Sequence, residues 1–164
     1  MSLTIEHLNK LHIRNNFECG YPILNQYIQR LASQDVKRSL SACYVLKEFD
    51  QQEVLGYYTL SSASIPKEHY TFSESLPTGY HDLPTILLGR LAIHNKIKGQ
   101  GLGESLLMDA LKRCSDISKE LGIVAVVVDP IDNIASSFYS KYGFILLPGT
   151  GKMFIPIKTI EQLW

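Results

Sequence analysis

Apolar positions in the first half of the chain recur with two different periods. Ile5 and Leu8 lie three apart, which predicts a short helix near the start, and Leu11-His12-Ile13 reads as a strand. Behind Tyr21-Pro22, an entry with proline in the first turn, Ile23, Leu24, Tyr27, Ile28 and Leu31 recur at helical spacing and predict a helix over 22–36. Over 41–49, Ala42, Tyr44 and Leu46 alternate against Cys43, Val45 and Lys47, as a strand requires. Residues 50–52 make a turn, and 54–64 return as the second strand of a hairpin. From 66 to 84 the periodicity stops, and Pro, Ser, Thr, His, Tyr and Gly take over. A connection that long reads either as a functional loop or as a solvated insertion without a role.

The second half is more sharply patterned. Residues 85–93 (TILLGRLAI) form an apolar strand, and 101–121 form a long amphipathic helix. Leu102, Leu106, Leu107, Ala110, Leu111 and Cys114 make its buried face, and Gly122 supplies a stop. The run 123–128 (IVAVVV) is apolar throughout, the mark of an interior strand covered on both sides. Asp132 or Asn133 caps a third helix through about Lys141, Tyr142-Gly143 ends it, and 144–147 and 153–157 read as closing strands. With no internal repeat and no linker, the expected architecture is one α/β (α+β) domain over 1–164 with a mixed sheet flanked by helices.

Composition narrows the classes further. The 16 Lys and Arg balance 16 Asp and Glu, so the net charge is zero, without the basic excess of a protein built chiefly to grip nucleic acid. Cys19, Cys43 and Cys114 are odd in number and far apart, a pattern of free thiols in a reducing cytosol. The five histidines contain no H-x-x-x-H pair, so no metal is expected. Residues 1–10 carry Glu6 and lack the apolar stretch of a signal peptide, and no apolar run is long enough to span a bilayer. The expected location is cytoplasmic, with no membrane partner.

The most informative stretch joins the 85–93 strand to the long helix through Gly99-Gln100-Gly101-Leu102-Gly103. Glycines there let the backbone approach a ligand closely, and the first amides of the helix have no intrahelical partner. An anion is the natural occupant of such a turn. A Rossmann fingerprint would place its third glycine one position later, and a Walker A loop would carry lysine where Glu104 follows Gly103. A plain glycine-rich turn is the competing reading, but three alternating glycines exceed what a turn needs.

Arg90-Leu91-Ala92-Ile93 followed by Lys96-x-x-Gly99-x-Gly101-x-Gly103 resembles the acetyl-CoA motif of the GNAT N-acetyltransferase superfamily. The segment from Asn133 through Phe138-Tyr139 to Tyr142-Gly143-Phe144 resembles its other signature. Lys96 departs from the more usual Arg or Gln. The resemblance implies a sheet with splayed middle strands and acetyl-CoA as acetyl donor. It implies that Leu91, Ala92 and Ile93 offer backbone groups to the pantetheine arm, and that the amides from Lys98, Gly99, Gln100, Gly101, Leu102 and Gly103 hold the pyrophosphate. Asn133 and Phe138 would border the arm, and Tyr139 falls on the position of a tyrosine general acid; the competing reading of Tyr139 is a core aromatic of the last helix, with Tyr142 as the decoy. No glutamate stands on 85–93, where some protein-lysine acetyltransferases of this superfamily carry a base. An amine whose pKa is about 8, such as an α-amine, needs little help in losing its proton; water, His94 or Asp129 remain open as the base. Arg90, between apolar neighbours, needs either a carboxylate partner or a role in binding the acceptor.

The layout also resembles a branch of that superfamily, the toxins of bacterial toxin–antitoxin pairs that acetylate aminoacyl-tRNA. The matching pieces are Phe17-Glu18-Cys19-Gly20, Leu24-Asn25-Gln26-Tyr27 with Leu31, Gly56-Tyr57-Tyr58-Thr59-Leu60, and Leu87-Leu88-Gly89-Arg90-Leu91-Ala92. That branch implies the α-amine of aminoacyl-tRNA as acceptor, a small ribbon-helix-helix antitoxin as partner, and a homodimer. Phosphate contacts would have to come from a local patch such as Arg30, Lys37 and Arg38 with Lys96 and Lys98. Two other readings stand beside it: an acetyltransferase for a small-molecule amine, polyamine or protein amine, and a non-catalytic domain that senses acyl-CoA or binds a partner.

Overall fold

The computed structural model describes residues 2–70 and 79–164. Residues 71–78 of the long 66–84 connection therefore lie outside the described residues. The strands are β1 (Leu3–His7), β2 (Ala42–Glu48), β3 (Gly56–Pro66), β4 (Asp82–Ile93), β5 (Ala125–Val128), β6 (Ile145–Leu146) and β7 (Met153–Pro156). They hydrogen-bond in the order β1-β2-β3-β4-β5-β7-β6. The β4–β5 pair is parallel, and β1–β2, β2–β3, β5–β7 and β6–β7 are antiparallel, so the sheet is mixed as expected.

Two compact units divide the chain. The first runs to Ser61 and resumes over Gly89–Ala110; the second covers Ser62–Leu88 and Leu111–Trp164. In the first, helices α1 (Pro22–Gln26) and α2 (Ala32–Lys37) flank a π-helical turn at Tyr27–Leu31. Together they realise the predicted 22–36 helix. The π turn is set by the Ala32 amide, which donates to the Tyr27 carbonyl. Tyr27, Ile28 and Ala32 bury the apolar stripe against Phe17, Cys43, Val45, Val54, Tyr57 and Ala92. Tyr57 donates its hydroxyl to the Leu24 carbonyl at 2.7 Å, so the hairpin strand holds the helix by a hydrogen bond as well as by packing.

Helix α3 (Leu102–Ser118) crosses from the first unit into the second, with Leu106, Leu107, Ala110, Leu111 and Cys114 buried as its spacing predicts. In the second unit Ala125, Val127, Leu147 and Phe154 pack with Ile65 and Leu83. The ladder between β4 and β5 joins Thr85, Ile86 and Leu87 to Ala125, Val126 and Val127. Helix α4 (Asn133–Lys141) follows, then β6, β7 and α5 (Ile157–Glu161).

Four sequence expectations are corrected. The predicted N-terminal helix is strand β1, paired antiparallel with β2 from Leu3↔Glu48 to His7↔Tyr44. Two apolar residues three apart cannot outweigh a full ladder of backbone bonds. Leu11-His12-Ile13 is not a strand; Ile13 forms an isolated bridge to Glu53, and buried His12 bonds to Glu6. Gly122 is not a left-handed stop, since α3 ends at Ser118 and the positive-φ glycines lie elsewhere. Ile157 leaves the closing strand and begins α5 behind Pro156.

Candidate active site

In the first unit, β4 leads through a 3-10 turn at Asn95–Ile97 into the glycine segment and α3. Gly99 and Gly101 take φ of +81° and +75°, a region that side chains other than glycine's rarely enter. A Cβ built at either would meet nothing within 4 Å, so the turn opens onto empty space. The Lys98 amide donates to the Asn95 carbonyl at 3.3 Å, which moves the start of the open cradle to Gly99. Among the described residues, none of the amides from Gly99 to Gly103 donates to a backbone carbonyl. Open amides at the N-terminus of a 17-residue helix fit a diphosphate, by hydrogen bonding and by the helix dipole together.

The turn is held from beneath by the loop before α1. The Lys98 ammonium donates to the Cys19 carbonyl, and the Asn95 amide donates to the Glu18 carbonyl at 2.7 Å. That loop is itself locked by Asn25, which is buried: its Oδ1 accepts from the Cys19 amide at 2.9 Å and its Nδ2 donates to Glu18. The Gly20 amide, at a residue with φ +92°, also donates to Glu18. That bond first, and the Asn25 amide second, hold the Glu18 carboxyl below its ordinary pKa. Sequence reasoning quoted Phe17-Glu18-Cys19-Gly20 and Asn25 only as a matching pattern. Their contacts give the pattern a physical purpose, which is to support the glycine turn.

His94 is buried. Its Nδ1 accepts from the Lys96 amide, which leaves Nε2 to donate to the Asn16 carbonyl at 3.1 Å. Both ring nitrogens are engaged in shaping the turn, so His94 is a turn residue here, not a proton relay. Lys96 pairs with Glu53. With Lys98 bonded to Cys19, neither lysine offers an unengaged ammonium to the predicted phosphate patch. Arg30, Lys37 and Arg38 are exposed.

Arg90 is half-buried on β4, and its guanidinium carbon lies 3.5 Å from the centroid of the Tyr27 ring. Among the described residues it forms no ion pair, so the expectation of a carboxylate partner is not met. A cation–π contact of this kind is worth about 0.5–2 kcal/mol and offsets part of the cost of desolvating the charge. The Tyr27 hydroxyl donates to Asp35 at 2.8 Å. Burial and that bond push its pKa up to about 12.

In the second unit, Asp132 rather than Asn133 caps α4, accepting from the Ala135 amide at 2.8 Å. Asn133 is the exposed first residue of the helix, and Asp129, exposed, follows β5. Tyr139 is the buried residue of α4, its ring held between Phe138 and Phe144 at centroid distances of 5.4 and 5.1 Å. Burial raises its pKa well above that of an ordinary phenol. Its hydroxyl differs from those of three other buried tyrosines. Tyr27 donates to Asp35, Tyr57 to the Leu24 carbonyl and Tyr58 to Asp109, whereas Tyr139 makes no hydrogen bond to any described residue. A protonated, positioned and unengaged phenol is equipped to donate a proton.

Residues 39–146 match the family model described as an acetyltransferase (GNAT) domain. A probable toxin TacT of Sinorhizobium fredii (strain NBRC 101917 / NGR234) is 32% identical, over 93% of this chain and 89% of that protein. A tRNA-acetylating toxin of Mycobacterium tuberculosis (strain ATCC 25618 / H37Rv) is also 32% identical, over 81% and 78%. A tyrosine-to-phenylalanine mutant of the toxin AtaT has been solved with the C-terminus of the antitoxin AtaR and acetyl-CoA, at TM-score 0.86, 29% identity and coverage of 100% and 99%. It has also been solved with acetyl-methionyl-tRNAfMet, at TM-score 0.88, 28% identity and coverage of 99% of each chain. Open amides at a glycine turn, an unengaged phenol on α4 and likeness along nearly the whole chain agree: this protein belongs to the GNAT acetyltransferase family.

Proposed function

We propose that the protein transfers the acetyl group of acetyl-CoA to the α-amine of aminoacyl-tRNA, as the toxin of a toxin–antitoxin pair. The amides of Gly99, Gln100, Gly101, Leu102 and Gly103 hold the diphosphate, and the backbone of Leu91, Ala92 and Ile93 pairs with the pantetheine arm as an added strand would. Asn133 and Phe138 border that arm. When bound, acetyl-CoA supplies the thioester carbon that the amine attacks. Tyr139 donates its proton to the departing thiolate. Burial keeps the phenol protonated and so ready to donate, and solvent returns a proton to it before the next turnover. No side chain of the chain is assigned as base: His94 is engaged at both ring nitrogens, and an α-amine is substantially neutral near pH 8. Solvent takes its proton.

The unengaged Tyr139 hydroxyl is the observation that carries the chemistry, and the relatives that act on or bind charged tRNA carry the choice of acceptor. AtaT bound to the C-terminus of AtaR supports pairing of this chain with an antitoxin; that the antitoxin is of the ribbon-helix-helix class and that the chain forms a homodimer is what the family resemblance implies. Among the described residues no helix is long and apolar enough to cross a membrane. The test is incubation of the purified protein with labelled acetyl-CoA and a panel of charged tRNAs. Acetylated aminoacyl-tRNA that disappears with Tyr139→Phe supports the proposal, and wild-type protein that labels no charged tRNA refutes it. The zero net charge favours a second reading, a small-molecule or protein amine as acceptor. Release of free thiol with such amines, and none with charged tRNA, would establish it instead.

A further inference from the structure

Among the side chains that the proposed chemistry does not use, Arg90 has the least ordinary setting. It stands on β4 immediately before Leu91, Ala92 and Ile93, and shares a strand face with Ala92, which packs in the same core cluster as Tyr27. Its guanidinium carbon lies 3.5 Å from the centroid of the Tyr27 ring, yet among the described residues no carboxylate pairs with it. A cation–π contact uses the charge of the group and none of its five N–H donors, which make no hydrogen bond to any described residue. Tyr27 in turn donates a hydrogen bond from its hydroxyl to Asp35, which enriches the ring in electron density and strengthens its hold on the cation. Asp35 thus serves the arginine through the ring without neutralising it. The π turn that begins at Tyr27 belongs to the same arrangement, since such turns are frequent at functional sites.

A fork of donors fixed in this way matches a phosphate, which it can grip with two parallel hydrogen bonds. We infer that Arg90 is an acceptor-binding residue whose guanidinium, stacked on Tyr27, grips a phosphate of the aminoacyl-tRNA. The inference rests on the proposed function, because it requires an acceptor that carries phosphate. The acetyl donor also carries phosphates, so the experiment must separate the two sources. Lys96 and Lys98 each hold one partner elsewhere, whereas Arg90, beside the proposed pantetheine strand, makes no ion pair or hydrogen bond among the described residues.

The test compares wild type with Arg90→Gln and Arg90→Lys in steady-state acetylation of charged tRNA, varying each substrate in turn and repeating the acceptor series at several salt concentrations. Melting temperature and acetyl-CoA binding establish that each variant is folded. Arg90→Gln is expected to raise the KM for charged tRNA about tenfold or more and to keep the KM for acetyl-CoA within about twofold. The slope of log KM against log salt is expected to fall by about 0.7–0.9, the share of one phosphate contact. Arg90→Lys keeps the charge without the fork and is expected to fall between the two. If the KM for acetyl-CoA rises instead, the phosphate belongs to the donor and the inference is overturned; the same follows if both variants keep the wild-type KM for charged tRNA. A wild-type protein that acetylates no charged tRNA is a different failure: it removes the proposed function, and this inference with it.

Discussion

The ammonium of Lys98 is bonded to the carbonyl oxygen of Cys19, residues that lie far apart in the sequence and meet beneath the glycine turn. The contact makes the support of the turn depend on a side chain that sequence patterns assign to the turn itself. Lys98→Met removes it without touching the open amides of Gly99–Gly103. Loss of one such bond, about 1.4 kcal/mol, is expected to raise the KM for acetyl-CoA about tenfold with a smaller change in kcat. Isothermal titration with acetyl-CoA checks it. Unchanged affinity would mean that the turn holds its shape without Lys98.

Tyr139→Phe and Tyr57→Phe remove the same atom from two buried rings with opposite expectations. Tyr139 has no hydrogen bond to lose among the described residues, so its variant is expected to melt at or slightly above the wild-type temperature while kcat falls about 10²- to 10⁴-fold. Tyr57 loses its bond to the Leu24 carbonyl, and its variant is expected to lose about 1 kcal/mol of stability. Urea unfolding and steady-state kinetics on both variants are sufficient. Full activity in Tyr139→Phe would exclude the phenol as the proton donor.

Cys43 and Cys114 set an alkaline limit on stability. Burial, opposed only weakly by nearby arginines, pushes both thiols from 9.0 to about 12. Above pH 9 the unfolded chain releases thiol protons that the folded chain keeps. Stability is therefore whole below pH 9 and falls as pH rises from there toward 12. Each thiol contributes at most about 1.4 kcal/mol per pH unit. Urea unfolding at pH 8.0, 9.5 and 10.5 measures the slope, and Cys114→Ala is expected to make it shallower. An identical slope in that variant would exclude the thiol as its source.

Asp132 holds the first turn of the helix that carries Tyr139. Asp132→Ala is expected to destabilise the protein by about 1 kcal/mol through loss of the bond from the Ala135 amide. Asp132→Asn, which keeps an acceptor, is expected to recover most of that loss. Chemical unfolding of the two variants distinguishes a cap from a charge effect.

Much of the architecture is legible in the residue pattern. Alternation predicted the β2–β3 hairpin, the apolar run 123–128 predicted interior strand β5, and the spacing from Leu106 to Cys114 predicted the buried face of α3. These patterns are local consequences of burying one face of an element. Strand β1 was misread because its evidence is its partner: five residues cannot show a ladder whose other half lies some forty positions on. The end of α3 was misplaced for a related reason, since Gly122 permits a stop that the helix makes earlier.

At the site the division is similar. The sequence alone determined the glycine turn, the family resemblance and Tyr139 as the candidate acid, because backbone freedom and residue order are written along the chain. Only the tertiary structure decided which polar groups are engaged. It bound Lys98 to Cys19, Lys96 to Glu53 and both nitrogens of His94 to turn backbone, set Arg90 on Tyr27 instead of a carboxylate, and left the Tyr139 hydroxyl without a partner among the described residues. A hydrogen bond or a stacked cation depends on angstrom-scale separations between residues distant in sequence, and those separations exist only once the chain has packed.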